Sequence, residues 1–249
     1  MDERQSLRSE IADAGFSYVR SLVDLDCLKH LTAEADRALS ALEAKIPGRN
    51  NYWTPLLGED TRVTSSLFMS ERFVTIARSA IGRDVFGVMA DAYASYGHSD
   101  LHSDAQSHAL AGIRINVYTE PLDANTGALR FLHRSHIQSN WHRMKTGQLK
   151  EAEFLCQSRT VDPGDAAIFD LRTWHSVSDT NRCRKFVSFF YYAYPETDEE
   201  VAAIRQSAER NNRAPRYFLG ETEELYSAAA RETLPESWNE ALKRYGFIN

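Results

Sequence analysis

Helical periodicity near the two ends of the chain, with strand alternation between them, predicts a mainly β fold with flanking helices: a β-sandwich or jelly roll carrying a helical layer. Three observations carry this. Leu28, Leu31, Ala35, Leu39 and Leu42 recur at the helical period. Residues 113–119, Ile-Arg-Ile-Asn-Val-Tyr-Thr, alternate apolar and polar side chains with period two. Residues 184–194 form a strongly β-prone run rich in Phe and Tyr.

In order, Leu7 and Ile11 are spaced for a helix over 3–14, which Gly15 ends. Residues 16–23 read as a short strand. Asp24 or Asp26 caps the helix that reaches about Lys45. The stretch 47–61 holds Pro47, Gly48, Asn50, Asn51, Pro55 and Gly58 and reads as a loop. Its Tyr52 and Trp53 suit either a binding wall or a cluster packed on the exterior. A helix is expected over 68–80, and 84–96 leads into a histidine-rich stretch. Strands are expected at 112–119 and 128–132, a loop-helix insertion at 137–158, a turn at Val161-Asp-Pro-Gly-Asp165 and a strand at 166–170. A helix over 197–211 opens a helical C-terminal appendage. The chain reads as a single domain over 1–249, with a helical N-terminal layer at about 1–95, a core at about 96–195 and an appendage at about 196–249.

Composition excludes several classes. Of 249 residues, 43% are hydrophobic and 26% charged, an ordinary globular balance. A net charge of −6 without a basic block argues against nucleic acid as partner. No apolar run approaches the roughly 20 residues of a membrane span, and the polar start Met-Asp-Glu-Arg does not resemble a signal peptide. Cys27, Cys156 and Cys183 are scattered, with neither zinc nor disulfide spacing. A cytoplasmic protein acting on a small molecule is expected.

The chemistry concentrates in Tyr96-Gly-His-Ser-Asp-Leu-His-Ser-Asp-Ala-Gln106, which holds two His-x-Asp pairs. Residues i and i+2 of a strand share a face, at a separation of roughly 6–7 Å, so an imidazole and a carboxylate can converge on one cation. A second imidazole completes a 2-His-1-carboxylate facial triad, the site type of non-heme iron(II) oxygenases. His175, after Phe169-Asp-Leu-Arg-Thr-Trp, is the downstream candidate. His102, Asp104 and His175 are the expected ligands. His98 and Asp100 share their parity, so strand geometry alone does not choose between the pairs. His108, His133, His136 and His142 read as structural or exposed. On 113–119, Arg114, Asn116 and Tyr118 share a polar face that suits a ligand-holding barrel interior.

These residues resemble, in order, the signatures of the phytanoyl-CoA hydroxylase-like branch of the iron(II)/2-oxoglutarate dioxygenases. The matching segments are Leu101-His-Ser-Asp-Ala105, the hairpin from Tyr118 to Ser135-His136, Pro163-Gly-Asp165 through His175, and Arg184. Arg134 stands where the family usually has glycine before Ser-His. The resemblance covers about 14–194. It implies a double-stranded β-helix, cupin-like core around one Fe(II), with 2-oxoglutarate and O2 as co-substrates. It places Leu101-His-Ser-Asp-Ala105 at the metal and His98 and Asp100 in the approach. It also implies that an arginine soon after the distal histidine holds the far carboxylate of 2-oxoglutarate, which a guanidinium binds bidentately. Arg184 fits that place, with Arg182 as neighbouring contender. Asn116 is a candidate for holding 2-oxoglutarate or for a structural hydrogen bond; Arg114 and Tyr118 have room to sit beyond the pocket. The implied reaction oxidises an unactivated C–H bond, with hydroxylation as outcome and succinate and CO2 as co-products. Related halogenases leave the carboxylate position to Gly or Ala, and here it is Asp104. A cupin-like isomerase or hydrolase and a non-catalytic ligand-binding barrel are the rival readings; neither needs Arg184.

Overall fold

Helix α1 (Glu3–Ala14) stops at Gly15, whose φ of +92° turns the chain directly into strand β1 (Phe16–Val19). The structure, a computed structural model, describes residues 3–148, 150–178, 180, 182–219 and 226–248. β1 is shorter than the expected 16–23. Ser21 takes a positive φ of 48° and donates its amide to Asp165 Oδ1 at 2.9 Å, which ends the strand. Helix α2 (Leu25–Lys45) starts at Asp24, whose side chain accepts from the Cys27 amide at 2.8 Å.

Three expectations for the N-terminal part need correction. The 47–61 stretch is not all loop: β2 (Asn51–Pro55) pairs antiparallel with β3 (Val85–Ser95), and Tyr52 and Trp53 are buried. The helix expected over 68–80 is two, α3 (Arg62–Met69) and α4 (Glu71–Ile81). They are parted by Ser70, which is extended and caps α4 through the Phe73 amide at 3.3 Å. The layer read as helical over 1–95 therefore also supplies β1, β2 and β3 to a sheet.

The remaining elements are β4 (Ser99–His102), β5 (Gly112–Tyr118), β6 (Arg130–Phe131), α5 (Gln138–Lys145), β7 (Ala166–Asp170), β8 (His175–Val177), β9 (Arg184–Ala193), α6 (Asp198–Leu219), α7 (Ala228–Thr233) and α8 (Glu236–Tyr245). A six-stranded sheet has the order β1-β7-β5-β9-β3-β2, and a three-stranded sheet the order β4-β8-β6. All pairings between these strands are antiparallel.

Period-two alternation on the large sheet separates core from site. Ile115, Val117, Val187, Phe189 and Tyr191 are buried in the cluster shared with the helices. Phe189 meets Phe73 of α4 at 4.9 Å between centroids, and Tyr191 meets Phe68 of α3 at 5.4 Å. Each such buried ring contributes about 1.5–3 kcal/mol. The opposite face carries cross-strand rungs: Met89–Phe190–Arg114–Phe169, then Asp91–Ser188–Asn116–Ala167, then Tyr93–Phe186–Tyr118, then Ser95–Arg184. Phe169 of the large sheet meets Phe131 and His175 of the small one at 5.0 and 4.9 Å, so this face looks into the space between the sheets.

Candidate metal centre and its cavity

The β4–β8 ladder makes His102 and His175 direct register partners. Asp104 joins them, and one ligand atom from each of the three lies within 4.8 Å of the others. The convergence of His102 and Asp104 is not the strand parity expected from the sequence. β4 ends at His102, and Asp104 lies in a bend beyond it. The Leu171 carbonyl makes that bend, accepting from Ser103 Oγ at 3.1 Å and the Ala105 amide at 2.9 Å. Asp104 Oδ1 thereby stands 4.0 Å from His102 Nε2.

Both imidazoles are oriented through Nδ1. His175 Nδ1 lies 3.0 Å from the Thr173 carbonyl and His102 Nδ1 2.7 Å from the Asp100 carbonyl. A carbonyl only accepts, so these bonds put the proton on Nδ1 and free each Nε2 lone pair for a cation. Burial drives the His175 pKa down to about 3, aided by His102 and opposed by Asp104. Burial alone would raise the Asp104 carboxyl. Arg114, then His175, His102 and Arg210, outweigh it and hold the group well below the usual carboxylate range. Two neutral imidazoles and one ionised carboxylate are a donor set that suits a first-row divalent metal and leaves positions open on it. The other pair stays out of the cluster: His98 lines the same cavity, but His98 and Asp100 pair with each other and have side chains 65% and 96% exposed. His108 and His136 bond to the carbonyls of His136 and Ala12, and His133 faces Asp13 at the surface.

The cluster opens into a cavity of about 400 Å³. Arg184 lines it and is 3% exposed. Its Nη1 donates to the Gly97 carbonyl at 2.6 Å and its Nη2 to Ser95 Oγ at 3.1 Å; Nε has no partner. No carboxylate pairs with it among the described residues, and burial lowers its pKa. Gly127 keeps the space beside it: a Cβ there would lie 2.9 Å from Arg184 Cδ. Arg182 instead pairs with Glu120 at the surface. Asn116 is fully buried, accepts from Ser188 Oγ at 2.8 Å, and leaves Nδ2 without a partner.

Several residues of the cavity were not anticipated. Arg114, which had room to lie beyond the pocket, is inside it, with Nη1 3.2 Å from Asp104 Oδ2. By contrast, Tyr52, Trp53 and Tyr93 line the cavity, in line with the binding-wall reading of the 47–61 aromatics, and Tyr96 is 45% exposed. Asp91 lies fully buried behind Trp53, accepting from its Nε1 at 2.8 Å. Burial lifts its carboxyl to about 7, against Arg114 and the indole bond and with Asp104 adding to the rise. Helix α6 contributes Ser207, Arg210 and Asn211 to the lining. Arg210 Nη1 donates to the Asp104 carbonyl at 2.7 Å, which ties the appendage to the site.

No protein-family model and no curated protein matches the chain. Solved structures do. The epimerase SnoN, in complex with Fe3+, alpha ketoglutarate and nogalamycin RO, is 16% identical over 76% of this chain and 83% of its own, with a TM-score of 0.62. EctD from S. alaskensis, with 2-oxoglutarate and 5-hydroxyectoine, is 16% identical over 78% of this chain and 76% of its own, with a TM-score of 0.60. HygX from Streptomyces hygroscopicus, with nickel and 2-oxoglutarate, is 13% identical over 78% of this chain and 87% of its own, with a TM-score of 0.59. This chain has their fold. The two sheets are thus the walls of a double-stranded β-helix. The expected class, mainly β with flanking helices around a jelly-roll, cupin-like core, holds. Within the β-helix, His102 and His175 of the candidate cluster sit on the small sheet and Arg184 on the large one, and all three line the cavity.

Proposed function

We propose that the protein is an iron(II)- and 2-oxoglutarate-dependent oxygenase that hydroxylates an unactivated C–H bond of a small metabolite. The observation that carries this reading is the presence, in one cavity, of a two-histidine, one-carboxylate cluster and a buried guanidinium with no carboxylate partner among the described residues. A dicarboxylate answers both. Its far carboxylate meets Arg184, whose fork matches it and whose attraction for an anion is strengthened where water is excluded. Asn116 Nδ2, unpartnered and buried, is placed to donate to the same molecule.

His102, Asp104 and His175 would hold Fe(II) through Nε2, Oδ1 and Nε2, all from one side. When bound, Fe(II) with 2-oxoglutarate supplies the reductive activation of O2 that oxidation of an unactivated C–H bond requires. In the net reaction one oxygen atom of O2 enters the substrate and the other enters succinate, and CO2 leaves. The apolar rings Phe186, Phe190 and Tyr93 line the cavity and limit water in it. Its size suits small molecules. Three free cysteines suit a reducing compartment and support a cytoplasmic location; no helix among the described residues is long and apolar enough to cross a membrane. A cupin-like isomerase or hydrolase, or a non-catalytic barrel, has no use for Arg184.

The test is succinate formation from 2-oxoglutarate with Fe(II), O2 and ascorbate, first without added substrate and then against a metabolite extract. Turnover of 2-oxoglutarate that is lost in His175→Ala supports the reading. Absence of both 2-oxoglutarate binding and succinate from the metal-loaded protein ends it.

A further inference from the structure

Arg114 is held on every side. Its guanidinium carbon stands 5.1 Å from the ring of Tyr93, 5.9 Å from Phe169, 5.7 Å from Phe186 and 4.8 Å from Phe190. Four aromatic rings fix its position and offer it their negative faces. Its Nε and Nη2 both donate to Ser188 Oγ, at 3.1 and 2.9 Å. The Nη1 edge remains and is aimed at Asp104 Oδ2, 3.2 Å away. The other oxygen, Oδ1, faces the imidazole of His102. The two oxygens of one carboxylate are thus divided between an immobile cation and the ligand cluster.

We propose that Arg114 is a positioning residue that makes Asp104 a one-oxygen ligand by occupying its second oxygen. This rests on the reading of the cluster as a metal centre and deepens it. Six positions surround an octahedral metal. Two imidazoles and one carboxylate oxygen take three, which leaves two for a chelating 2-oxo acid and one for O2. A carboxylate free to rotate can chelate with both oxygens and take one of those positions. Arg114 opposes that by charge-assisted hydrogen bonding in a site shielded from water. The aromatic rings and Ser188 give it a fixed direction, so little rotamer freedom remains to be lost when a metal binds.

The same geometry makes the Arg114 edge an anion pocket once the carboxylate is removed. In Asp104→Gly, a small carboxylate such as formate should lodge between Nη1 and the metal. Ni(II) binding is measured by calorimetry, with and without 2-oxoglutarate, and the coordination of bound Co(II) by its visible absorption. The unmodified protein is expected to bind one Ni(II). Arg114→Gln is expected to bind it about 10- to 100-fold more weakly and to change the Co(II) bands; Arg114→Lys, which keeps the charge, recovers part of the loss. Formate is expected to restore Ni(II) binding in Asp104→Gly and not in Asp104→Gly/Arg114→Gln. Unchanged Ni(II) affinity and Co(II) bands in Arg114→Gln, or equal rescue by formate with and without Arg114, overturns the proposal. If Arg114→Gln does not fold, Arg114→Lys is judged by the same two readouts: Ni(II) binding weaker than in the unmodified protein with shifted Co(II) bands supports the proposal, and affinity and bands like those of the unmodified protein overturn it. Failure of the unmodified protein to bind any divalent metal would instead end the metal-centre reading itself.

Discussion

His102 and His175 face each other across the β4–β8 ladder with ring centroids 4.4 Å apart, although 73 residues of chain separate them. One is nearly half exposed and the other is 1% exposed. The pair therefore has a wet side toward the cavity mouth and a dry side against Phe169.

Of the two His-x-Asp pairs, only the second should matter for metal. His102→Ala is expected to abolish stoichiometric Ni(II) or Fe(II) binding, and His98→Ala to retain most of it, because the His98 side chain is directed to Asp100 at the surface. Calorimetric titration under nitrogen decides this. Equal losses in the two variants would contradict the assignment.

Arg184→Ala should weaken 2-oxoglutarate binding with little change in metal affinity. Losing the partner of a buried charge costs about 2–5 kcal/mol, so a rise in KM or Kd of some 30-fold or more is expected. Arg182→Ala, which removes only a surface pair with Glu120, should leave binding near its original value. The reverse order would move the anchor by two residues.

Two buried groups should oppose each other in the pH dependence of metal-free stability. His175 has a folded pKa of about 3 against 6.5. Between those values the unfolded chain carries a proton that the folded protein refuses, so stability falls as pH falls. Asp91 has a folded pKa of about 7 against 3.8. There the folded protein keeps a proton that the unfolded chain has released, so stability falls as pH rises. Each contributes at most about 1.4 kcal/mol per pH unit. Urea midpoints from pH 4 to 6.5 should thus decline on acidification in Asp91→Asn more steeply than in the unmodified protein. In His175→Asn they should decline less, or rise. Parallel curves for the three proteins would refute the assignment of these groups.

Arg134 holds a left-handed backbone with φ of 61° and reaches Asp13 at 2.5 Å on the surface. The left-handed region costs a side-chain-bearing residue roughly 1–2 kcal/mol, and an exposed ion pair returns about 0–1 kcal/mol. Arg134→Gly should therefore raise the thermal midpoint slightly, despite the greater freedom glycine has in the unfolded chain. A clear drop in Tm would mean that the Asp13 contact outweighs the strain.

The ends of legibility lie at particular residues. α2 and β5 were readable because their periods are clean, and β7 and β9 because an apolar or β-prone run follows turn residues. β2 was hidden by the Asn, Gly and Pro around it, although Tyr52-Trp-Thr54 is itself β-prone. β3 was hidden by Ala90, Ala92 and Ala94, which are poor strand formers; the alternating Asp91, Tyr93 and Ser95 were the available signal. The convergence of His102, Asp104 and His175 was expected from residue chemistry, but for an incomplete geometric reason, since a bend pinned to Leu171 does what strand parity was expected to do. Parity gave the face of Arg114 but not its depth, and so not its contact with Asp104. The contribution of α6 was invisible because nothing in a helix's own period says which wall it will close.

β9 sends Arg184, Phe186, Phe190 and Tyr192 into the cavity and Val187, Phe189 and Tyr191 into the helix-packed core. An insertion or deletion of one residue in its middle would exchange the two sets downstream, putting cavity residues under helices and core residues into the cavity. Substitution at most positions leaves that parity intact. Side chains can thus be replaced while length is held, in keeping with a fold shared at only 13–17% identity. Length changes are expected to collect in the connections, above all in the long one between β6 and β7.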